Sequence, residues 1–375
     1  MAILRSFRFF YIFPMMSSLP FAKNFRWFFM RFLSERQIRS WFEKKSGGKN
    51  EMFQYKADIP NCRKVIIFLP EEQDKLFVIL PLAITFSEKR HKDDFLILTD
   101  ESNRHILRAL DLEKFSLLCN SQSMLYGETY FFEMEKKVQE QKWDLCLFLL
   151  EKAPLPYLYL AKATRASYRM GVKPEFPFLN IALQSNSNNE NIYAIRDFLY
   201  KTFLIDSKKA EKESIHVTQK NERQSFSQKL STSNTILLNL EPPIKGQPWI
   251  ESEISMICKS FRPEWRLIAI AATTKQLEPY YKIMEELEIR SNPVLLHSES
   301  IFSVLRQYPA IVTFNSLHSH LFLNLSSIKV LMLEQNMDYE IPSSQKILKF
   351  DREGNYYSFA KLVTKFISAS KETVT

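Results

Sequence analysis

The chain has 375 residues, 45% of them hydrophobic and 25% charged, which is typical of a globular protein rather than a disordered or fibrous one. It contains only six glycines, which excludes a glycine-rich phosphate loop of the Walker or dinucleotide-binding type. The four cysteines lack the spacing of metal ligands, which argues against a zinc site and a disulfide framework and favours a reducing cytoplasm.

The net charge of +9 is concentrated at the start of the chain. Residues 1–50 contain ten Lys or Arg and two Glu, so they carry +8 of that charge and the remainder is nearly neutral. Nucleic-acid binding through this basic arm is one interpretation, but the sequence contains no recognisable nucleic-acid-binding module.

The same segment is rich in apolar residues. Residues 9–22 are interrupted by Pro14 and Pro20 and are shorter than the roughly 20 residues that span a bilayer. A secretory signal peptide is an alternative, although no clear cleavage site of small residues follows.

An amphipathic helix is predicted directly after this stretch. Four aromatic residues share one helical face, and two arginines lie beside them: Phe25, Phe28, Phe29, Phe32, Arg26 and Arg31. Aromatic side chains favour the headgroup boundary, and arginine is attracted to anionic lipid. We therefore predict that residues 1–50 dock on a membrane surface; the alternative is that the aromatic face packs on the first domain.

Strand and helix patterns alternate after residue 50. Apolar runs predict strands at 65–69, 95–98 and 145–150, with helical patterns between them and at 193–203. This alternation is typical of a parallel sheet covered by helices. We assign residues 51–206 to the first domain.

The polar, charged residues 207–234 lack apolar periodicity and are predicted to be a linker. Beyond them, the segment 235–375 is predicted to be a second doubly wound domain. Its strand-like runs are at 235–240, 267–271, 294–296, 310–314 and 328–333. The fold class is therefore α/β, with two Rossmann-like domains facing a cleft and an N-terminal amphipathic helical extension.

Three segments, in the right order, resemble motifs of the family 9 glycosyltransferases, the heptosyltransferases that extend the inner core of lipopolysaccharide from ADP-heptose. In the first, RKVIIFLPEEQDKLFVILPLAITF, the pair Gln73-Asp74 stands where the family has Gly-Asp. The resemblance implies that Asp74 is the general base that deprotonates the acceptor hydroxyl. The alternative is that Asp74 only stabilises the N-terminus of the following helix, as a cap or through the helix dipole.

The second segment, WDLCLFLLEKAPLPYLYLAKATRASYRMGV, resembles the family motif that ends in Arg-x-Gly. Arg169 is the candidate for binding an anionic acceptor group, since a guanidinium suits phosphate or carboxylate. Alternatively, Arg169 is a surface residue on a turn whose left-handed position is supplied by Gly171.

The third segment, AIVTFNSLHSHLFLNLSSIKVLMLEQ, resembles the family's Asp-Ser-Gly turn and donor helix, with Asn315, Ser316 and Leu317 at the turn. His320 matches the family's histidine. Backbone amides at such a helix N-terminus bind anions. A fourth, weaker segment, NLEPPIKGQPWIESEI, contains Lys245 as a candidate phosphate contact, with a solvated lysine as the alternative.

The resemblance implies a GT-B-like fold and an inverting glycosyltransferase that uses neither a metal nor a cofactor. The donor would be a nucleotide sugar such as ADP-heptose, bound by Lys245, Asn315, Ser316 and His320, and the acceptor would be lipid-linked or a lipopolysaccharide. The protein would be cytoplasmic and peripheral at the inner membrane. Several motif glycines and acids are replaced, so the alternative is a catalytically silent relative that acts as a membrane-associated binding or scaffold protein.

Overall fold

The computed structural model describes two six-stranded parallel sheets, each covered by helices. The described residues are 58–120, 124, 129–151, 153–172, 178–183, 192–207, 209–210, 235–244, 248–260, 266–288, 293–295, 308, 310–325, 328–334 and 347–351. The predicted membrane segment with Phe25, Phe28, Phe29, Phe32, Arg26 and Arg31 lies outside these residues, as do Lys245 and most of the predicted linker. Within them, no helix is both long and apolar enough to cross a membrane.

The first half of the chain forms one sheet in the strand order β3-β2-β1-β4-β5-β6. Its strands are β1 (Val65–Phe68), β2 (Phe95–Asp100), β3 (Ser116–Cys119), β4 (Leu145–Phe148), β5 (Tyr168–Gly171) and β6 (Ile181–Ala182). Its helices are α1 (Gln73–Lys89), α2 (Arg104–Ala109), α3 (Thr129–Gln139), α4 (Leu155–Ala163) and α5 (Ile192–Thr202). The strands β1, β2 and β4 have fully or almost fully buried side chains, as expected for a parallel sheet covered on both faces.

The second half repeats this topology in the order β12-β11-β10-β7-β8-β9. Its strands are β7 (Thr235–Asn239), β8 (Arg266–Ala271), β9 (Val294–Leu295), β10 (Ala310–Phe314), β11 (Lys329–Glu334) and β12 (Ile347–Asp351). Its described helices are α6 (Glu251–Ser260), α7 (Thr274–Glu286) and α8 (Leu317–Leu325). When its strands are counted from β7, both sheets have the order 3-2-1-4-5-6, so the prediction of two Rossmann-like domains is confirmed.

The predicted strands with long apolar runs are present, but β3, β5, β6 and β12 were not predicted. The strand β5 contains Gly171, for which the sequence allowed a left-handed turn. That interpretation is wrong, because Gly171 ends a strand and pairs with Phe148 and Ala182. A Cβ at this position would lie 2.9 Å from the carbonyl oxygen of Phe148 and 2.7 Å from Leu179 Cδ1. Glycine is therefore required here by the close approach of the neighbouring chain.

The two halves share a hydrophobic core. One cluster of buried side chains combines residues of α1 and α5 with Leu321, Phe322 and Leu325 of α8. Helix α8 of the second half packs directly on α1 of the first. Leu317, where the resemblance expects glycine, is partly buried against this cluster. The two halves therefore contact one another along α1 and α8, where the sequence predicts a cleft. The predicted site residues Asp74, Asn315 and Ser316 lie around the first turns of these helices.

Candidate functional site

The candidate site lies where the strand order of each sheet reverses. In open α/β sheets the helices diverge at this switch point, and ligands bind beyond the carboxyl ends of the strands. In this protein the switch points are between β1 and β4 and between β7 and β10. The loops after β1 and β10 lead into α1 and α8, which contact one another across the two halves. The fold thus brings the Asp74 and the Asn315–Ser316 segments to the same region.

Asp74 lies in the first turn of α1 and is partly buried. Burial raises the pKa of this carboxyl group, and the amide and charge of Lys75 offset only part of the effect. The charge of Asp74 acts on the phenol of Tyr193, which faces α8. The next residue, Lys75, pairs with Glu151 in the loop after β4 and so links the two strands of the switch point. A carboxylate with a raised pKa is a stronger base, as the proposed role of Asp74 requires.

The turn between β10 and α8 is crosslinked to the end of β7. Asn239 donates hydrogen bonds to Ser316 Oγ at 2.9 Å and to Thr313 Oγ1 at 3.0 Å. Ser316 is completely buried, and its hydroxyl also supports Glu241. Asn315 is 7% exposed, and its side-chain oxygen is buried without a hydrogen-bond partner. Ser316 thus holds this wall together, whereas Asn315 keeps an acceptor available to a ligand.

Glu241, directly beyond the end of β7, holds the first turn of α8. Its carboxylate accepts hydrogen bonds from the His318 amide at 2.9 Å and from His318 Nδ1 at 2.8 Å. Burial alone raises the pKa of Glu241, but the bonds from His318 and Ser316 outweigh burial and bring it below its ordinary value. The ring of His318 faces Phe77 of α1, with 6.4 Å between the ring centroids. A negative charge of the protein itself therefore occupies this part of the helix N-terminus.

His320 belongs to a buried polar network that joins the two halves. Its Nδ1 lies 2.9 Å from the hydroxyl of Tyr193 on α5. Asn324 donates to the His320 carbonyl at 2.6 Å and accepts from Arg196 Nη1 at 2.6 Å. Burial lowers the pKa of His320 to about 4, so the imidazole is neutral at pH 7. The structure places the side chain of His320 in the contact between α5 and α8; its predicted contact with the donor stays a prediction.

Arg169 is separated from the other candidate residues along the sheet. It pairs with Cys146 near the start of β4, whereas the candidate site lies beyond the strand ends. Its Nε donates to the carbonyl oxygen of Phe178 at 2.6 Å, and its Nη1 donates to that of Ala166 at 2.5 Å. These bonds attach the guanidinium to the backbone around β5. The structure therefore does not bring Arg169 together with Asp74.

The loop after β7 approaches the Asn315 turn just before Lys245. The amide of Ile244 donates to the carbonyl oxygen of Asn315 at 2.8 Å. Trp249 closes the other side of the loop, since its Nε1 donates to Asn239 and its ring packs 4.2 Å from that of Phe314. Of the described residues on either side of 245–247, Ile244 is therefore attached to Asn315, and Trp249 is attached to Asn239 and Phe314.

Sequence reasoning missed Glu241 and Tyr193. Glu241 could have been found, because it is the acid that directly follows a buried strand at the predicted cleft edge. Tyr193 carries no such signal, since its position on α5 has the apolar periodicity of any core helix. Its contact with His320 spans 127 residues and depends on the packing of the two halves.

Comparison with known proteins gave matches only among solved structures. No family model and no curated protein matches this chain. Escherichia coli heptosyltransferase WaaC with ADP-2-deoxy-2-fluoro heptose is 11% identical with a TM-score of 0.57; the match covers 82% of this chain and 99% of that one. A family 9 glycosyltransferase from Veillonella parvula is also 11% identical with a TM-score of 0.57, over 83% of this chain and 92% of its own.

These similarities extend over nearly the whole length of the solved proteins and include both sheets. The identities are low, so the comparison concerns the fold and leaves the chemistry to the residues of the site. The resemblance inferred from the sequence motifs is thus confirmed at the level of architecture: the chain has the two-domain GT-B-like fold of the heptosyltransferases.

Proposed function

We propose that this protein transfers a sugar from a nucleotide-sugar donor to a hydroxyl group of an acceptor. The observation that supports this most strongly is the position of Asp74 and Asn315 at the switch points of two Rossmann-like sheets that meet through α1 and α8. The similar WaaC structure contains an ADP-heptose analogue, which supports a donor of the same chemical class.

In this proposal Asp74 is the general base. It removes the proton of the acceptor hydroxyl while the oxygen attacks the anomeric carbon and the nucleoside diphosphate leaves from the opposite face, which inverts the configuration. Its partly buried position, with a pKa above the ordinary value, suits this task. No metal or cofactor takes part in the proposed reaction.

On the donor side we assign the most direct contacts to Asn315 and the Lys245 loop. Asn315 contributes the buried side-chain oxygen that has no partner, and the loop is anchored beside it through Ile244. Because Glu241 already occupies the first turn of α8, we assign the donor diphosphate to Lys245 rather than to the amides of that turn. Ser316 and His320 then stabilise the turn between β10 and α8 and the helix itself, which form the donor side of the proposed site.

The donor assignment is tested by thermal shift and calorimetry with ADP-, UDP-, GDP- and CMP-sugars on the full chain. A ligand at 100 times its Kd stabilises the folded state by about 2.7 kcal/mol, which a thermal shift detects. One nucleotide class should stabilise the protein. Absence of stabilisation by all four would contradict the proposal and favour the catalytically silent relative.

Asp74→Asn tests the chemistry separately. We expect donor affinity to be unchanged and turnover, measured as nucleotide release with acceptor, to fall about 100-fold. Asp93→Asn is the matched control. Asp93 is exposed and lies just before the start of β2, whereas the candidate site lies beyond the carboxyl ends of the strands. A turnover equal to the control would exclude Asp74 as the base.

We also propose that the basic aromatic segment holds the enzyme at the cytoplasmic face of the inner membrane, near a lipid-linked acceptor. Deleting residues 1–45 should abolish sedimentation with anionic liposomes, and salt should weaken binding of the full chain. Equal sedimentation of both forms would contradict this.

A further inference from the structure

A second group of polar side chains lies at the carboxyl ends of β1 and β2 and at the start of the helix that follows β4. Asp100 is the last residue of β2, and Glu71 is in the loop between β1 and α1. Tyr157 is in the first turn of α4. Side chains two residues apart in a strand share a face, so Asp100 lies on the same side of the sheet as Leu98, whose core cluster includes Tyr157.

Two atoms of this group have no hydrogen-bond partner although they are buried. These are the hydroxyl of Tyr157, a residue that is 0% exposed, and Oε1 of Glu71. The pKa of Tyr157 is raised well above its ordinary value, first by burial and then by Cys119, Glu71 and Asp100. The negative charges of both carboxyl groups therefore act on the phenol. Buried polar atoms without partners are rare in native proteins, and they mark places where a ligand can supply the missing bond.

The charges around Glu71 restrict the chemistry of that ligand. Burial, Asp100 and Glu72 together raise the pKa of Glu71 to about 7, so the charges that act most strongly on it are negative. An anionic ligand would be repelled here. In the part of the chain that the structure describes, no group of three His, Cys, Asp or Glu side chains could hold a metal ion.

We propose that Glu71 and Tyr157 bind a hydroxyl group of an uncharged sugar and form an acceptor subsite next to Asp74; this assignment rests on the proposed sugar transfer. A sugar hydroxyl can donate to the Glu71 carboxylate and accept from the Tyr157 phenol at the same time, which complements the two atoms. Glu71 lies three residues before Asp74, so a sugar held here presents its neighbouring hydroxyls to the first turn of α1. The acceptor is thus recognised at this point through hydroxyl groups.

The experiment uses the purified full chain with methyl glucoside, methyl mannoside and methyl galactoside as probes, and with their 6-phosphates and amino-sugar analogues for comparison. Binding is followed by saturation-transfer NMR and titration. We expect an uncharged glycoside to bind, and Glu71→Gln and Tyr157→Phe each to weaken it about five- to tenfold, the loss of one hydrogen bond. Glu140→Gln, an exposed glutamate just beyond the end of α3, is the matched control and should leave binding unchanged.

A second measurement separates a lost contact from a damaged fold. The deoxy analogue that lacks the bound hydroxyl should bind equally to the wild type and to Glu71→Gln. The inference is overturned if none of the glycosides binds, if neither variant weakens binding, or if a phosphate or amine form binds more tightly. If nucleotide sugars bind but glycosides do not depend on Glu71, only the subsite is wrong. If glycosides depend on Glu71 and no nucleotide sugar binds, the subsite stands and the transferase proposal fails.

Discussion

The loops after β1 and after β7 occupy equivalent places in the two Rossmann-like sheets, and glutamates lie near both switch points: Glu71 and Glu72 after β1, and Glu241 after β7. Glu241 accepts two hydrogen bonds from His318 and a third from Ser316, and its pKa is lowered. Glu71 has an unpartnered oxygen next to other acids, and its pKa is raised to about 7. The same residue type thus strengthens the folded state in one half and keeps an unpartnered carboxyl oxygen with a raised pKa in the other.

This difference indicates a division of labour between the halves. Polar groups that are mutually hydrogen-bonded fix the position of an element, whereas unpartnered buried groups are retained at the expense of stability where a ligand uses them. The second half therefore supplies a rigid wall around α8. The first half supplies Glu71 and Tyr157, which have unused bonding capacity, together with Asp74, and the second half adds one such group, Asn315, on that wall.

The largest expected effect concerns the packing that joins the halves. Phe322 is 0% exposed in the cluster shared by α1, α5 and α8, so Phe322→Ala should lower the free energy of unfolding by about 3–5 kcal/mol. Hydrogen exchange should increase in both halves. Phe148→Ala, in the cluster on the other face of the first sheet, is the control and should affect mainly the first half. Similar exchange patterns for both variants would mean that the halves are not joined through Phe322.

The next effect is the pH dependence of the His320 network. The pKa of His320 is about 4 in the folded protein and about 6.5 in an unfolded chain, so the unfolded state binds more protons between these values. The contribution of His320 to stability should therefore fall as the pH decreases from 6.5 to 4, by up to about 3 kcal/mol, whereas Glu71, whose pKa is raised, acts in the opposite direction over most of this range. Urea unfolding at several pH values measures this. His320→Asn, which keeps a polar atom toward Tyr193, should remove this contribution, so that the difference in stability between the wild type and the variant changes with pH over that range; a difference that does not depend on pH would assign the effect to other groups.

The smallest effect compares the two glutamates directly. Glu241→Gln removes a charged acceptor of three hydrogen bonds and should destabilise the protein by about 1.5–3 kcal/mol. Glu71→Gln should instead stabilise it by about 1–2 kcal/mol at pH 8, after allowance for partial exposure. The sign follows from the raised pKa, since the folded state loses stability as the pH increases from 4.5 to 7. If both variants destabilise the protein, the proposed difference in role between the two halves is wrong.

The sequence by itself determined the fold class and the strands with buried apolar runs. The segments at 65–69 and 310–314 are predicted because both faces of a central parallel strand are covered, which requires continuous apolar residues. The partly exposed strand β3 and the two-residue strand β6 lack that signal, and their formation depends on a neighbouring strand. The order of the motifs also identified Asp74 and the Asn315 turn, since short sequence motifs at strand ends can be recognised without a structure.

Only the tertiary structure decided what those residues contact. His320 looks like a ligand-binding histidine in its motif, but its surroundings come from Tyr193 and Asn324, and Tyr193 lies 127 residues away in the chain. The sequence pattern alone does not distinguish Glu71 from Glu241, since both are glutamates that follow a buried strand. Their opposite pKa shifts arise because His318 and Ser316 reach one carboxylate, while burial and the acids Asp100 and Glu72 surround the other. Electrostatic environment is a property of three-dimensional neighbours, and for these positions most of the neighbours are remote in sequence.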